Sequence, residues 1–144
     1  MSSSPIPPSP PPTARATKAG TMIHSLVYAL LVLWLHPRTA DRVEELVSIA
    51  ADVADTDATE GEARLLASIA VHESRATVRA VGDGGLSRGA WQVRGRDVSA
   101  AGALAKVRWS YRLCADLSAY AGCGRCGSCP AIVASLVDPT LPRR

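Results

Sequence analysis

Apolar positions divide the chain into a patternless N-terminal stretch, one nearly continuous apolar run, and a series of amphipathic segments. Met22 to Leu35 (MIHSLVYALLVLWL) is apolar almost throughout and closes at His36-Pro37. At about 14 residues it falls short of the roughly 20 that span a bilayer. It matches a signal h-region in length, but no small-x-small cleavage site follows, because Arg38 spoils the one ending at Ala40. The spacing Ile23, Leu26-Val27, Leu30-Leu31, Trp34 fits equally a helix buried in its own domain. Both readings, core helix and membrane or export segment, stay open at this point.

Beyond Pro37 the pattern is helical. Thr39 is a candidate N-cap with Asp41 in the first turn, followed by Val43, Leu46-Val47, Ala50 and Val53-Ala54. Asp55-Thr56-Asp57 breaks that helix, and Thr59 with Glu62 forms a capping box for the next, expected from Leu65 to about Ala80. Gly82 to Gly89 (GDGGLSRG) is too glycine-dense for a helix and has room for a small hairpin. Ser99 is placed to cap a long helix with Leu104, Val107, Tyr111, Cys114, Leu117 and Ala121 on its apolar face. A last short helix starts at Pro130, a good first-turn residue, and ends near Val137. The expected fold is mainly α: a small helical domain with a glycine-rich loop or short hairpin in its middle.

Composition refines this picture. There is no Phe and aromatics make up 4%, so Ala, Val and Leu must fill the core, which favours closely packed helices. Ser2 to Pro12 (SSSPIPPSPPP) cannot bury apolar surface. The organisation expected is a disordered tail over 1–21, the apolar helix over 22–36, a folded domain over 37–138 and a C-terminal tail over 139–144. With 16 Lys+Arg against 13 Asp+Glu, the net charge of +3 is too mild to argue for nucleic acid, although it suits an anionic surface such as a bacterial wall.

Glu73 is the residue that stands out chemically. At about 100° per residue, Leu66, Ile69, Ala70, Thr77 and Ala80 lie within about 60° of it, while Arg64 and Arg75 take the other side. An ionised carboxylate on an apolar face is costly, and such a group tends to keep its proton, as a general acid for glycosidic cleavage requires. The handling of one acid by an apolar wall is the lysozyme case. The alternative is a structural Glu neutralised by an Arg or a helix N-terminus. Asp83, the one acid of the glycine loop, is either a second cleft carboxylate or an ordinary turn residue before Gly-Gly. His72 points about 100° away from Glu73 and is read as a packing or surface residue.

Three segments bring a family into view: His72-Glu73-Ser74, then Gly89-Ala90-Trp91-Gln92-Val93, then Ala119-Tyr120-Ala121-Gly122. Their order and spacing resemble the soluble lytic transglycosylase domain, and Gly82 to Val93 also resembles a loop of phage and invertebrate-type lysozymes. The resemblance covers about Pro37 to Val137 and implies an α+β lysozyme-like fold, with 37–138 as the catalytic domain and the glycine-rich loop or hairpin lining a glycan cleft. It implies a peptidoglycan-cleaving enzyme without a cofactor or bound metal, with Glu73 as its single acid/base. It implies substrate contacts at Ser74, Asp83, Ser87, Gly89, Trp91 and Gln92, and Tyr120 closing over the catalytic carboxylate. Trp91 offers a face to a pyranose or, alternatively, a core aromatic. The third segment lacks the family's Asn. The partner implied is the peptidoglycan glycan strand, with residues 1–36 available for membrane association or virion assembly, and the place of action is the cell wall or periplasm, whether reached by export, holin release or a virion. The chemistry implied is 1,6-anhydro formation. Alternatives are hydrolysis using Glu73 with Asp83, and an inactive wall-binding or structural module.

Cys114, Cys123, Cys126 and Cys129 give C-x8-C-x2-C-x2-C. Thiolates at that pitch can wrap zinc or an iron–sulfur cluster. The even count in a small extracytoplasmic domain points instead to one or two disulfides, of undecided pairing, tying the Cys114 helix to the glycine-rich loop after it.

Overall fold

The chain is described by a computed structural model that covers residues 12–95 and 97–142. Among the described residues the chain forms five α-helices, α1 (Pro12–Leu35), α2 (Val43–Ala54), α3 (Glu60–Ser74), α4 (Ala100–Cys114) and α5 (Pro130–Val137), and one small sheet between α3 and α4 in sequence. Its strands β1 (Val81–Gly82), β2 (Ser87–Arg88) and β3 (Val93–Arg94) run antiparallel in sequence order, with Val81 opposite Arg88 and Ser87 opposite Arg94. The fold is therefore mainly helical, with the hairpin that the glycine-dense stretch left room for.

The tail expected over 1–21 lies outside the described residues as far as 11, but α1 starts at Pro12, ten residues ahead of Met22. Proline suits a first helical turn, and the Ala, Thr, Arg and Lys that follow do not oppose a helix. One face of α1, Val27, Leu31 and Leu35, is buried against α2 and α3. Spacing of four puts these residues on one stripe. Met22 and Leu33 lie off that stripe, 72% and 68% exposed. By length and composition alone Lys18–Leu35 could cross a membrane, with a mean hydropathy of 1.5, yet the helix also supplies part of the core.

α3 is the central helix, packed on α1, α2, α4 and α5. Ala63, Ala67 and Ala70 are fully buried on it, and small side chains let neighbouring backbones come close. Buried Ser68 satisfies its hydroxyl by donating to the Leu136 carbonyl near the end of α5. Its N-terminus has the expected capping box: Thr59 Oγ1 accepts from Glu62 N–H at 3.2 Å, and Glu62 Oε1 accepts from Thr59 N–H at 3.0 Å. Its other end comes six residues earlier than expected, at Ser74 rather than Ala80. Arg75 and Ala76 both turn left-handed, with φ of 54° and 56°, and Ala76 N–H donates to Ala70 O at 2.8 Å, closing a Schellman-type turn without glycine. Thr77 and Ala80 consequently leave the face on which the periodicity placed them.

Two other boundaries differ. α2 begins at Val43 behind Arg42, not at Thr39, because residues 36–41 form a turn. Arg42 donates to the Arg75 and Ala76 carbonyls and is gripped by Glu45. The Glu45 carboxylate also accepts from Val78 N–H at 3.0 Å, so the start of α2 holds the end of α3 in place. α4 starts behind Ser99 as expected, but the Ser99 hydroxyl donates to Asp97, and the helix-opening Ala100 N–H donates to Asp52 of α2 at 2.9 Å. α4 stops at Cys114 because Ala115 turns left-handed, so Leu117 and Ala121 belong to the following turns and Tyr111 is 41% exposed.

Candidate active site

A cleft of about 480 Å³ opens where α3, the hairpin, α4 and the turns after α4 meet. Glu73, on the last turn of α3, is half-buried in its wall. The hairpin contributes Asp83, Ser87, Gln92 and Arg94, α4 contributes Lys106 and Trp109, and the turn after α4 contributes Tyr120. Residues 47 positions apart, from Glu73 to Tyr120, thus share one surface. Of the residues the sequence singled out, Glu73, Asp83, Ser87, Gln92 and Tyr120 come together there. Ser74, Gly89 and Trp91 do not.

These three have a structural task instead. Ser74 Oγ donates to the Ala90 carbonyl at 2.6 Å and accepts from Thr77 N–H at 2.9 Å, tying the end of α3 to the hairpin. Trp91, for which a sugar platform and a core aromatic were both open, is the core aromatic: it is 2% exposed, and its indole N–H donates to Leu66 O of α3 at 2.8 Å. An indole with its one donor satisfied inside the core has no face left for a sugar. Gly89 adopts φ of 83°, and a Cβ there would come within 3.1 Å of the Val98 carbonyl, so it serves the turn and not the substrate.

Gln92 and Tyr120 both line the cleft and brace it. The Gln92 amide donates to the Ala80 and Gly89 carbonyls at 3.2 and 3.0 Å, across the base of the hairpin. The Tyr120 hydroxyl donates to the Trp91 carbonyl at 2.8 Å, so its proton is committed to the backbone and not to the carboxylate. Tyr120 is held in turn by Ser110, whose buried hydroxyl accepts from Tyr120 N–H at 3.0 Å. Burial, with the negative charge of Glu73 adding to it, pushes the phenol well above its ordinary range.

Asp83 sits at the mouth with its side chain 59% exposed and φ of 51°. It accepts from Ser87 Oγ at 2.6 Å and meets Arg94 at 3.4 Å. The Ser87 hydroxyl and then the Arg94 guanidinium hold its carboxyl below the usual carboxylate range, so it is an anion at neutral pH.

Periodicity did not single out Arg94, Lys106 or Trp109. The Lys106 ammonium stands 4.3 Å from the centroid of the Tyr120 ring. Burial lowers its pKa, and the charge of Glu73 partly offsets that effect. Trp109, three residues on, is 43% exposed along the same wall. The available signal was spacing: 106 and 109 share a helix face that the apolar stripe of α4 does not use.

The cysteines pair as Cys114 with Cys126 and Cys123 with Cys129, with Cα separations of 5.2 and 5.9 Å, both within disulfide range. The first ties the end of α4 to the loop after it, and all four thiols are thereby used. No family model, curated protein or solved structure matches the chain. The chemistry open to the cleft is therefore read from its residues: a half-buried carboxylate, an anchored anion at the mouth, two cations and an open indole.

Proposed function

We propose that the chain cleaves the β-1,4 bond between N-acetylmuramic acid and N-acetylglucosamine in bacterial peptidoglycan, with Glu73 as acid and base. The observation that carries this is the cleft itself, which gathers Glu73, Tyr120, Gln92 and the exposed Trp109 around one volume of about 480 Å³. In the reaction, Glu73 gives its proton to the leaving glycosidic oxygen as that bond breaks. The substrate's own N-acetyl oxygen bonds to the anomeric carbon. Glu73 then takes the proton of the 6-hydroxyl, whose oxygen displaces the acetamido oxygen and closes a 1,6-anhydro ring. One carboxylate suffices because the substrate provides the nucleophile twice. Tyr120, braced at both its hydroxyl and its amide, keeps the wall beside Glu73 rigid.

A second reading rests on Asp83. This anion shares the cleft with Glu73, as hydrolysis with a second carboxylate requires. In that case Asp83 stabilises the oxocarbenium-like transition state and water replaces the 6-hydroxyl. Digestion of purified peptidoglycan, with products read by mass spectrometry, separates the two. Anhydro-muropeptides support the first reading and reducing ends the second. Glu73→Gln is expected to lose about 10²-fold or more of the rate in either case. Retention of full activity by Glu73→Gln ends both. Residues 1–36, with α1 half-packed and half-exposed, are the proposed means of attachment to a membrane or a virion.

A further inference from the structure

α4 presents two cleft residues that the acid/base steps do not use. Lys106 and Trp109 lie three residues apart, on one face of α4, and line the cleft together with Glu73 and the hairpin residues. A tryptophan 43% exposed on a cleft wall is a flat apolar platform open to ligand. Such a face suits the C–H face of a pyranose. The Lys106 ammonium, half-buried and seated over the Tyr120 ring, is held in place before any ligand arrives.

The charges in the cleft indicate what Lys106 would meet. Asp83 and Arg94 face each other at 3.4 Å and largely cancel. In the step that cleaves the glycosidic bond, Glu73 must carry a proton, so among the described residues lining the cleft Lys106 is then the charge outside an ion pair. An ammonium has three donors, so it can stay near Glu73 and still bind a ligand oxygen. Resting on the proposed glycan cleavage, we infer that Lys106 and Trp109 form a subsite for an N-acetylhexosamine bearing a carboxylate. Trp109 takes the ring and Lys106 the carboxylate, which comes either from the lactyl ether of muramic acid or from the stem peptide attached to it. The subsite makes the chain selective for muramyl glycan over neutral chitin-type glycan of the same backbone.

The test is binding by calorimetry to the full chain carrying Glu73→Gln, so that ligand is not consumed. Three ligands are compared: chitohexaose, peptide-free muramyl glycan with open lactyl carboxylates, and glycan with its stem peptides. The carboxylated ligands are expected to bind about 10-fold or more tightly than chitohexaose, the size of one charge-assisted contact. Adding Lys106→Gln should bring that ratio close to one, and adding Lys106→Arg should keep it. Trp109→Ala should weaken all three ligands, and Trp109→Phe should restore much of the loss. Preference for the peptide-free glycan identifies the lactyl source and preference for the peptide-bearing glycan the stem source, and either supports the subsite. Equal affinity for all three ligands, or a ratio that survives Lys106→Gln, overturns it. Cleavage by Glu73→Gln at the wild-type rate, together with a persisting Lys106-dependent ratio, would sink the acid/base reading and leave the subsite standing.

Discussion

Ser74 follows the candidate acid directly, and a sugar contact and a structural clamp make opposite demands on it. In the structure its hydroxyl donates to Ala90 O at 2.6 Å and accepts from Thr77 N–H at 2.9 Å. Ser74→Ala removes both partners at once. Ala90 is 3% exposed, so its carbonyl would face the full cost of an unmet buried acceptor, about 1–3 kcal/mol. Thr77 is only half-buried, and water can replace the lost acceptor there at a cost of about 0.5–1 kcal/mol. The sum is about 1.5–4 kcal/mol. For a chain of this size that corresponds to a fall in Tm of about 5–16 °C. Calorimetry of Ser74→Ala checks the fall, and hydrogen exchange should show lost protection at Gly89 and Gln92, whose amides close the hairpin beside Ala90. A variant that melts with the wild type, keeps those amides protected and loses only glycan turnover would refute the clamp and return Ser74 to the substrate.

Further outcomes follow from particular contacts. Arg108 donates twice to the Glu62 carboxylate, at 2.8 and 2.9 Å, and this pairing holds the Glu62 pKa at about 2, against an ordinary 4.5. Because the folded value is depressed, the stabilisation is present above about pH 4.5 and lost as pH falls towards 2; urea titrations should show a loss of roughly 1–3 kcal/mol across that window, weaker in Arg108→Gln. Leu31 is fully buried in the packed stripe of α1, so Leu31→Ala should cost about 2–4 kcal/mol in denaturant unfolding, whereas Leu33→Ala on the exposed face should cost less than about 0.5 kcal/mol. The Cys114–Cys126 pair closes a loop across 12 residues, worth about 3 kcal/mol by loop entropy, so reduction or Cys114→Ser should lower Tm measurably, while unchanged melting would show that the pair does not form.

The features legible in the sequence were those set by neighbours in the chain. The Thr59/Glu62 box, the proline that opens α5 and the glycine-dense hairpin each involve residues a few positions apart, so pattern and structure agree. The end of α3 was not legible. A helical period running from Leu65 to Ala80 gave no sign that Arg75 and Ala76 would turn left-handed, because what holds them there is Arg42, over 30 positions earlier. Glu73 is therefore not the centre of a long apolar face but a residue of the final helical turn, where a chain reversal brings the hairpin across it. The same long-range packing separates the roles of Trp91 and Trp109. Trp91 lies in the motif-like segment, which left a sugar platform and a core aromatic both open, and its indole is fixed to Leu66 O in the core. Trp109 lies in a plain helical stretch and is the one left open on the cleft wall. The motif-like residues Ser74, Gly89, Trp91, Gln92 and Tyr120 share one physical property: each holds the hairpin and its neighbouring turn in position through backbone hydrogen bonds, packing or an enforced turn. Residues of that kind define where a cleft lies and how rigid it is. The side chains proposed to choose the ligand, Lys106 and Trp109, come instead from α4, where no motif marks them.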